Sequence, residues 1–188
     1  MPPLFPISLK VEGRRVLVVG AGAVAASKTG SLLEAGALVD LVAPEIHFQI
    51  DHPNLTVIRR AFRPTDLDGC WFAIAAAPLE VNREVSASAT ERRIFVIAVD
   101  DVASATAYGV AVVRRAGVTV GISTDGAAPA LSGLLREALE SLLPDELEEW
   151  TDLAQRSRRI WREQHVPMAE RRPLLLRALN DLYQDRSG

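Results

Sequence analysis

Six residues, Gly20-Ala21-Gly22-Ala23-Val24-Ala25, have the types and spacing of a cradle for a diphosphate. The pattern is G-x-G-x-x-A, set between an apolar run, Arg15 to Val19, and good helix formers, Ala23 to Ala35. Gly20 permits a tight turn, Gly22 lets the backbone approach a pyrophosphate, and the small third residue lets helix and strand pack closely. The anion would rest on the helix N-terminus, where unpaired N–H groups and the dipole favour negative charge. A triphosphate loop, G-x-x-x-x-G-K-[ST], is disfavoured because Ser27 stands where that loop needs glycine before Lys28-Thr29. A dinucleotide site is therefore the expectation, against the plain alternative of a glycine-rich turn that binds nothing.

A second candidate is Asp100, beside Asp101 at the end of the run Phe95 to Val99. A carboxylate at a cofactor crevice can act as general base. Asp101 or substrate carboxylates would raise its affinity for a proton by like-charge repulsion. An aspartate that merely closes a strand is the alternative. Ala75-Ala76-Ala77 ends another apolar run and leaves room for a nicotinamide ribose, which makes Ala76 a candidate contact. An acid for the adenosine ribose belongs at the end of the second strand. That place holds Ala43, so Glu45 and the backbone near Pro44 are the candidates. The local sequence puts no arginine at that tip, which favours NAD over NADP. Asp40, inside the strand, is expected at an edge or facing solvent.

The elements that must hold these residues follow from periodicity. Apolar runs at Arg15–Val19, Leu38–Val42, Leu55–Ile58, Trp71–Ala75 and Phe95–Val99 read as strands. Helical stretches at Ala23–Ala35 and Leu79–Ala89 lie between them. Alternation of this kind gives βαβ units, a mostly parallel sheet and helices on both faces. The fold class is α/β, an N-terminal Rossmann-like doubly wound sheet over 1–113. Past 113 the pattern changes. Val118–Ser123 reads as a strand, and Pro129 opens a helix. Its Leu131, Leu134, Leu135, Ala138, Leu139 and Leu142 form one apolar stripe. Two further helices are expected, from Pro144-Asp145 onward and over Met168–Leu182, in an arginine-rich tail.

Composition narrows the classes. Of 188 residues, 48% are hydrophobic and 24% charged, the balance of a folded domain. A formal net charge of -3 offers nucleic acid no basic field. Cys70 is the sole cysteine, which rules out an internal disulfide and a cysteine-based zinc site. His47, His52 and His165 lack metal-ligand spacing, so no metal site is expected. Neither a signal-peptide pattern nor a membrane-length apolar run is visible, and a cytoplasmic location is expected. The tail arginines Arg156, Arg158, Arg159 and Arg162 suit a polyanionic substrate or simply a solvated helix face.

In this order of parts the chain resembles the precorrin-2 dehydrogenase family, the N-terminal domain of siroheme synthases. The likeness rests on Pro3-Leu4-Phe5-Pro6, Val18 to Ala25, Lys28, Leu33 to Ala37, Trp71 to Ala76, Val99-Asp100, Ile122 to Gly126, Pro129-Ala130-Leu131, Leu134 to Glu137 and Leu142-Leu143-Pro144. The resemblance implies NAD-dependent removal of two hydrogens from precorrin-2, giving sirohydrochlorin. It implies a homodimer, with 114–144 as dimerisation region and 145–188 as a helical domain. It implies that Asp100 is catalytic and that Ala23, Val24, Pro44 and Glu45 contact NAD. Thr124 matches a family serine, and with Ser123 it is a candidate tetrapyrrole contact or a turn-stabilising hydroxyl. The chain departs from the family at Ile97, where relatives carry asparagine, at Ala107 to Val110, and at Gly126-Ala127-Ala128-Pro129. Two other readings stay open: a dehydrogenase that also inserts Fe2+ as a chelatase, and a silent module that binds NAD or a tetrapyrrole.

Overall fold

The computed structural model describes residues 3–184, which fall into two compact units divided between Gly109 and Val110. In the first unit five strands make one parallel sheet. They are β1 (Arg15–Val19), β2 (Leu38–Ala43), β3 (Leu55–Arg59), β4 (Phe72–Ala75) and β5 (Phe95–Ala98), in the order β3-β2-β1-β4-β5. The reversal at β1 is the switch point where α/β sheets open a ligand crevice. The Rossmann-like sheet expected from sequence is present.

Alternation along β1 explains both layers of the core. Leu17 and Val19 turn to one side, where helix α2 (Leu79–Glu91) adds Val85 and Ala89. Val16 and Val18 turn to the other, where helix α1 (Ala23–Glu34) adds Ala25 and Leu33. Strands buried on both faces read as continuous apolar runs, which is why β1, β2 and β4 stand out in the sequence. Each fully buried aliphatic side chain here contributes about 1.5–3 kcal/mol.

Asp40 departs from expectation. Its strand lies between β1 and β3, and it is only 9% exposed. Arg15 Nε donates to its Oδ2 at 2.6 Å across neighbouring strands. The bond to Asp40 holds the Arg15 guanidinium above its ordinary value. A carboxylate can sit inside this sheet because a cation comes with it. A short 3-10 turn, Pro64–Leu67, comes after β3 and carries Asp66, which Arg60 grips through both oxygens at 2.5 and 2.8 Å. Beyond β5 the chain folds back: the N–H groups of Thr106 and Ala107 donate to Val96 O, and Val96 N–H donates to Thr106 Oγ1.

The second unit begins with a strand that the sequence alone does not disclose. β6 (Ala111–Arg115) pairs antiparallel with β7 (Val118–Ile122) through Ala116-Gly117, both with positive φ. Two-residue hairpins of this hand want Asn-Gly or Asp-Gly, so an alanine hides the turn. The boundary expected at 113 falls inside β6. Arg115 ties the hairpin to the segment 143–145, donating to Leu143 O and pairing with Asp145. Helix α3 (Pro129–Leu142) lies against β6. Its leucine stripe faces outward within the chain, with Leu134 64% and Leu142 75% exposed. Helices α4 (Leu147–Glu163) and α5 (Met168–Gln184) pack together, Trp150 edge-on to Tyr183 at 6.3 Å. No helix among the described residues is long and apolar enough to cross a membrane.

Candidate functional site

The crevice begins where β1 ends. Gly20 has φ +124, and a Cβ there would lie 2.0 Å from the carbonyl oxygen of Ala76. Only glycine fits. The turn is fixed from both sides: Gly20 N–H donates to Val42 O at 3.0 Å, and Ala76 N–H to Val19 O at 2.8 Å. Gly22 then caps α1 from an extended conformation, and among the described residues no side chain takes up the free N–H groups. A Cβ on Gly22 would meet no described atom within 4 Å. The first turn of α1 carries no acidic residue. An open approach, unpaired donors and an uncompensated helix dipole are the conditions for holding a diphosphate.

A cleft of about 470 Å³ opens over this helix start. Gly22, Ala23 and Val24 line one side; Ala76 and Ala77 at the end of β4, and Asp100 past β5, line the other. Asp100 is exposed and takes φ +59, a conformation that costs a non-glycine residue energy and is found at functional sites. Asp101 is buried and pairs with Arg83 at 3.8 Å, so its charge has a counter-ion on α2.

Asn82, also lining the cleft, is not among the residues that sequence singles out. It is 1% exposed, accepts from Ala77 N–H at 2.9 Å and donates to Val99 O at 3.1 Å. One amide thus locks the ends of β4 and β5, and with them the backbone beside Ala76 and Asp100. The one signal in the sequence is an asparagine one turn into a helix, where the residue type is disfavoured unless its side chain has a task. Lys28 on α1 is half-buried, with no ion pair to a described residue. Its Nζ lies 3.4 Å from where a Cβ on Gly109 would stand, and Ile97 Cδ1 lies 3.9 Å from the same point.

Other candidates fall elsewhere. Pro44 and Glu45 come after β2 at the surface and do not line the cleft, and Glu45 stands 3.7 Å from His47. The expectation that no arginine reaches this tip is corrected, because the β2–β3 register sets Arg59 beside Ala43. Ser123 and Thr124 belong to the second unit, and their hydroxyls shape a turn. Ser123 Oγ accepts from Asp125 N–H at 3.0 Å; Thr124 Oγ1 accepts from Ala128 N–H at 3.1 Å and shares a hydrogen bond with Ser132. Cys70 is buried, and burial pushes its thiol up to about 11. Among the described residues no three His, Cys, Asp or Glu groups gather as a metal site.

Comparison with known proteins fits this geometry. A family described as "Putative NAD(P)-binding" matches residues 7–111. A siroheme synthase of Citrobacter koseri is 39% identical over 173 residues, covering 89% of this chain and 38% of that protein. A siroheme synthase of Photorhabdus laumondii is 37% identical over 181 residues, covering 94% and 38%. This chain therefore spans about two fifths of the length of these relatives. Among solved structures, SirC, precorrin-2 dehydrogenase, superposes with a TM-score of 0.69 at 24% identity, over 96% of this chain and 92% of that one.

Proposed function

The chain belongs to the NAD(P)-binding family that matches its residues 7–111, and from that premise we propose that it is an NAD-dependent dehydrogenase converting precorrin-2 to sirohydrochlorin. One observation carries the reading: the uncapped start of α1 and Asp100 line the same cleft. The names of its relatives, siroheme synthase and precorrin-2 dehydrogenase, supply the substrate.

Gly20, Gly22, Ala23 and Val24 would hold the diphosphate, with Pro44 and Glu45 toward the adenosine and Ala76 toward the nicotinamide. NAD+ bound there supplies a hydride acceptor. Asp100 takes the proton that leaves the tetrapyrrole, so that the two hydrogens depart as hydride and proton. Asn82 fixes the backbone on which Asp100 stands. The Lys28 ammonium suits a substrate that carries many carboxylates. Ser123 and Thr124 are assigned to the tetrapyrrole through the turn they shape. The outward leucines of α3 support a homodimer, since an exposed apolar stripe of this kind seeks cover. A cytoplasmic location belongs to the same reading.

The test is anaerobic incubation of the purified chain with fresh precorrin-2 and NAD+. NADH and the sirohydrochlorin spectrum are expected to rise together. Retained NAD+ binding with no NADH at any protein concentration would leave a silent binding module instead. A parallel arm with Fe2+ as second substrate reads siroheme by its spectrum and decides whether iron is also inserted.

A further inference from the structure

The tip of β2, where a dinucleotide's adenosine ribose would lie, has beside it a cation that local sequence does not reveal. β2 ends at Ala43, where an acid would otherwise bind the ribose hydroxyls and repel a phosphate on the 2′ oxygen. An alanine does neither. In the parallel register Ala43 stands opposite Arg59, the last residue of β3, on strands about 4.8 Å apart. Alternation puts Arg59 on the side of the sheet that Leu55 shares with Val39 and Leu41, the side covered by α1. Arg59 is exposed and has no ion pair to a described residue. Its neighbours are committed: Arg60 to Asp66, and Arg15 to Asp40. Glu45, two residues past the tip, has His47 as counter-group at 3.7 Å.

We propose that Arg59 forms a subsite for a 2′-phosphate on the adenosine ribose, so that the chain binds NADP+ as well as NAD+. A planar guanidinium offers paired donors to phosphate oxygens, and an absent strand-end acid removes the repulsion that excludes the phosphate. The proposal rests on the dinucleotide reading of the cleft and adds the choice of dinucleotide.

Calorimetric titration of the full chain with NAD+, NADP+, AMP and adenosine 2′,5′-bisphosphate tests it without any turnover. NADP+ is expected to bind within a few-fold of NAD+, and the bisphosphate more tightly than AMP. Arg59→Ala should weaken NADP+ about tenfold or more and leave NAD+ within about twofold. Arg59→Lys should recover part of the loss, and circular dichroism checks that each variant is folded. NAD+ binding with NADP+ more than about tenfold weaker in the unaltered chain overturns the proposal. Equal weakening of both dinucleotides by Arg59→Ala also overturns it. Binding of neither dinucleotide removes the cleft assignment itself, and this subsite with it.

Discussion

The carbonyl oxygen of Ala76 occupies the space that a side chain on Gly20 would need, leaving 2.0 Å where contact requires more than 3. The oxygen is backbone and cannot swing away. Gly20→Ala should therefore cost about 3 kcal/mol or more, from the clash and the positive φ together. Gly22→Ala meets no described atom within 4 Å. It should change stability by only about 1 kcal/mol, yet weaken dinucleotide binding by crowding the diphosphate. Urea unfolding and NAD+ titration of the two variants separate a glycine the fold needs from one the ligand needs.

Asp100 holds a left-handed backbone that asparagine and glycine tolerate better. Asp100→Asn should keep or slightly raise the melting temperature while NADH formation from precorrin-2 falls about 100-fold or more. Unchanged turnover would remove the carboxylate from the chemistry.

Asn82→Ala leaves the N–H of Ala77 and the carbonyl of Val99 without their partner. The expected loss is about 1–3 kcal/mol, together with weaker NAD+ binding. Asn82→Asp keeps an acceptor for Ala77 but sets a buried carboxylate against the Val99 carbonyl, so it should cost at least as much as Asn82→Ala in denaturant titration.

Burial of Cys70 gives a pH signature. Its thiol is raised from 9.0 to about 11, so the folded state favours the protonated form. That contribution is whole below pH 9 and is lost as pH climbs toward 11. The unaltered chain should lose about 2–3 kcal/mol more than Cys70→Ala across this window. Unfolding curves at closely spaced alkaline pH values read the difference directly.

The outward leucines of α3 predict an oligomer. The unaltered chain should sediment as a dimer, and Leu134→Asp should shift it toward monomer. A sedimentation profile that does not change would place the contact on another face.

Sequence made the cradle and the five parallel strands legible because both depend on neighbours along the chain. Gly20 to Ala25 are contiguous, and β1 beyond Arg15 and all of β4 are apolar, as strands covered on both faces must be. Asp100 was legible as a strand end. The features that stayed hidden depend on register. Asp40 reads as solvent-facing until Arg15 is seen alongside, and Arg59 reads as unremarkable until β3 sets it against Ala43. Asn82 looks like a helix defect until the ends of β4 and β5 converge on it. β6 was missed because Ala116 sits where a hairpin usually shows asparagine.

The two flanks of the five-stranded sheet are protected by different means. At β5 the returning segment around Thr106 occupies the outer hydrogen-bonding groups of Val96, so another molecule finds less to pair with there. β3 has no such cover in the sheet order, and its end is marked by charge, Arg59 followed by Arg60. The arginine assigned to cofactor choice thus also guards an open flank. Neutral replacements at 59 should be handled at low concentration, since self-association through β3 is the hazard they release.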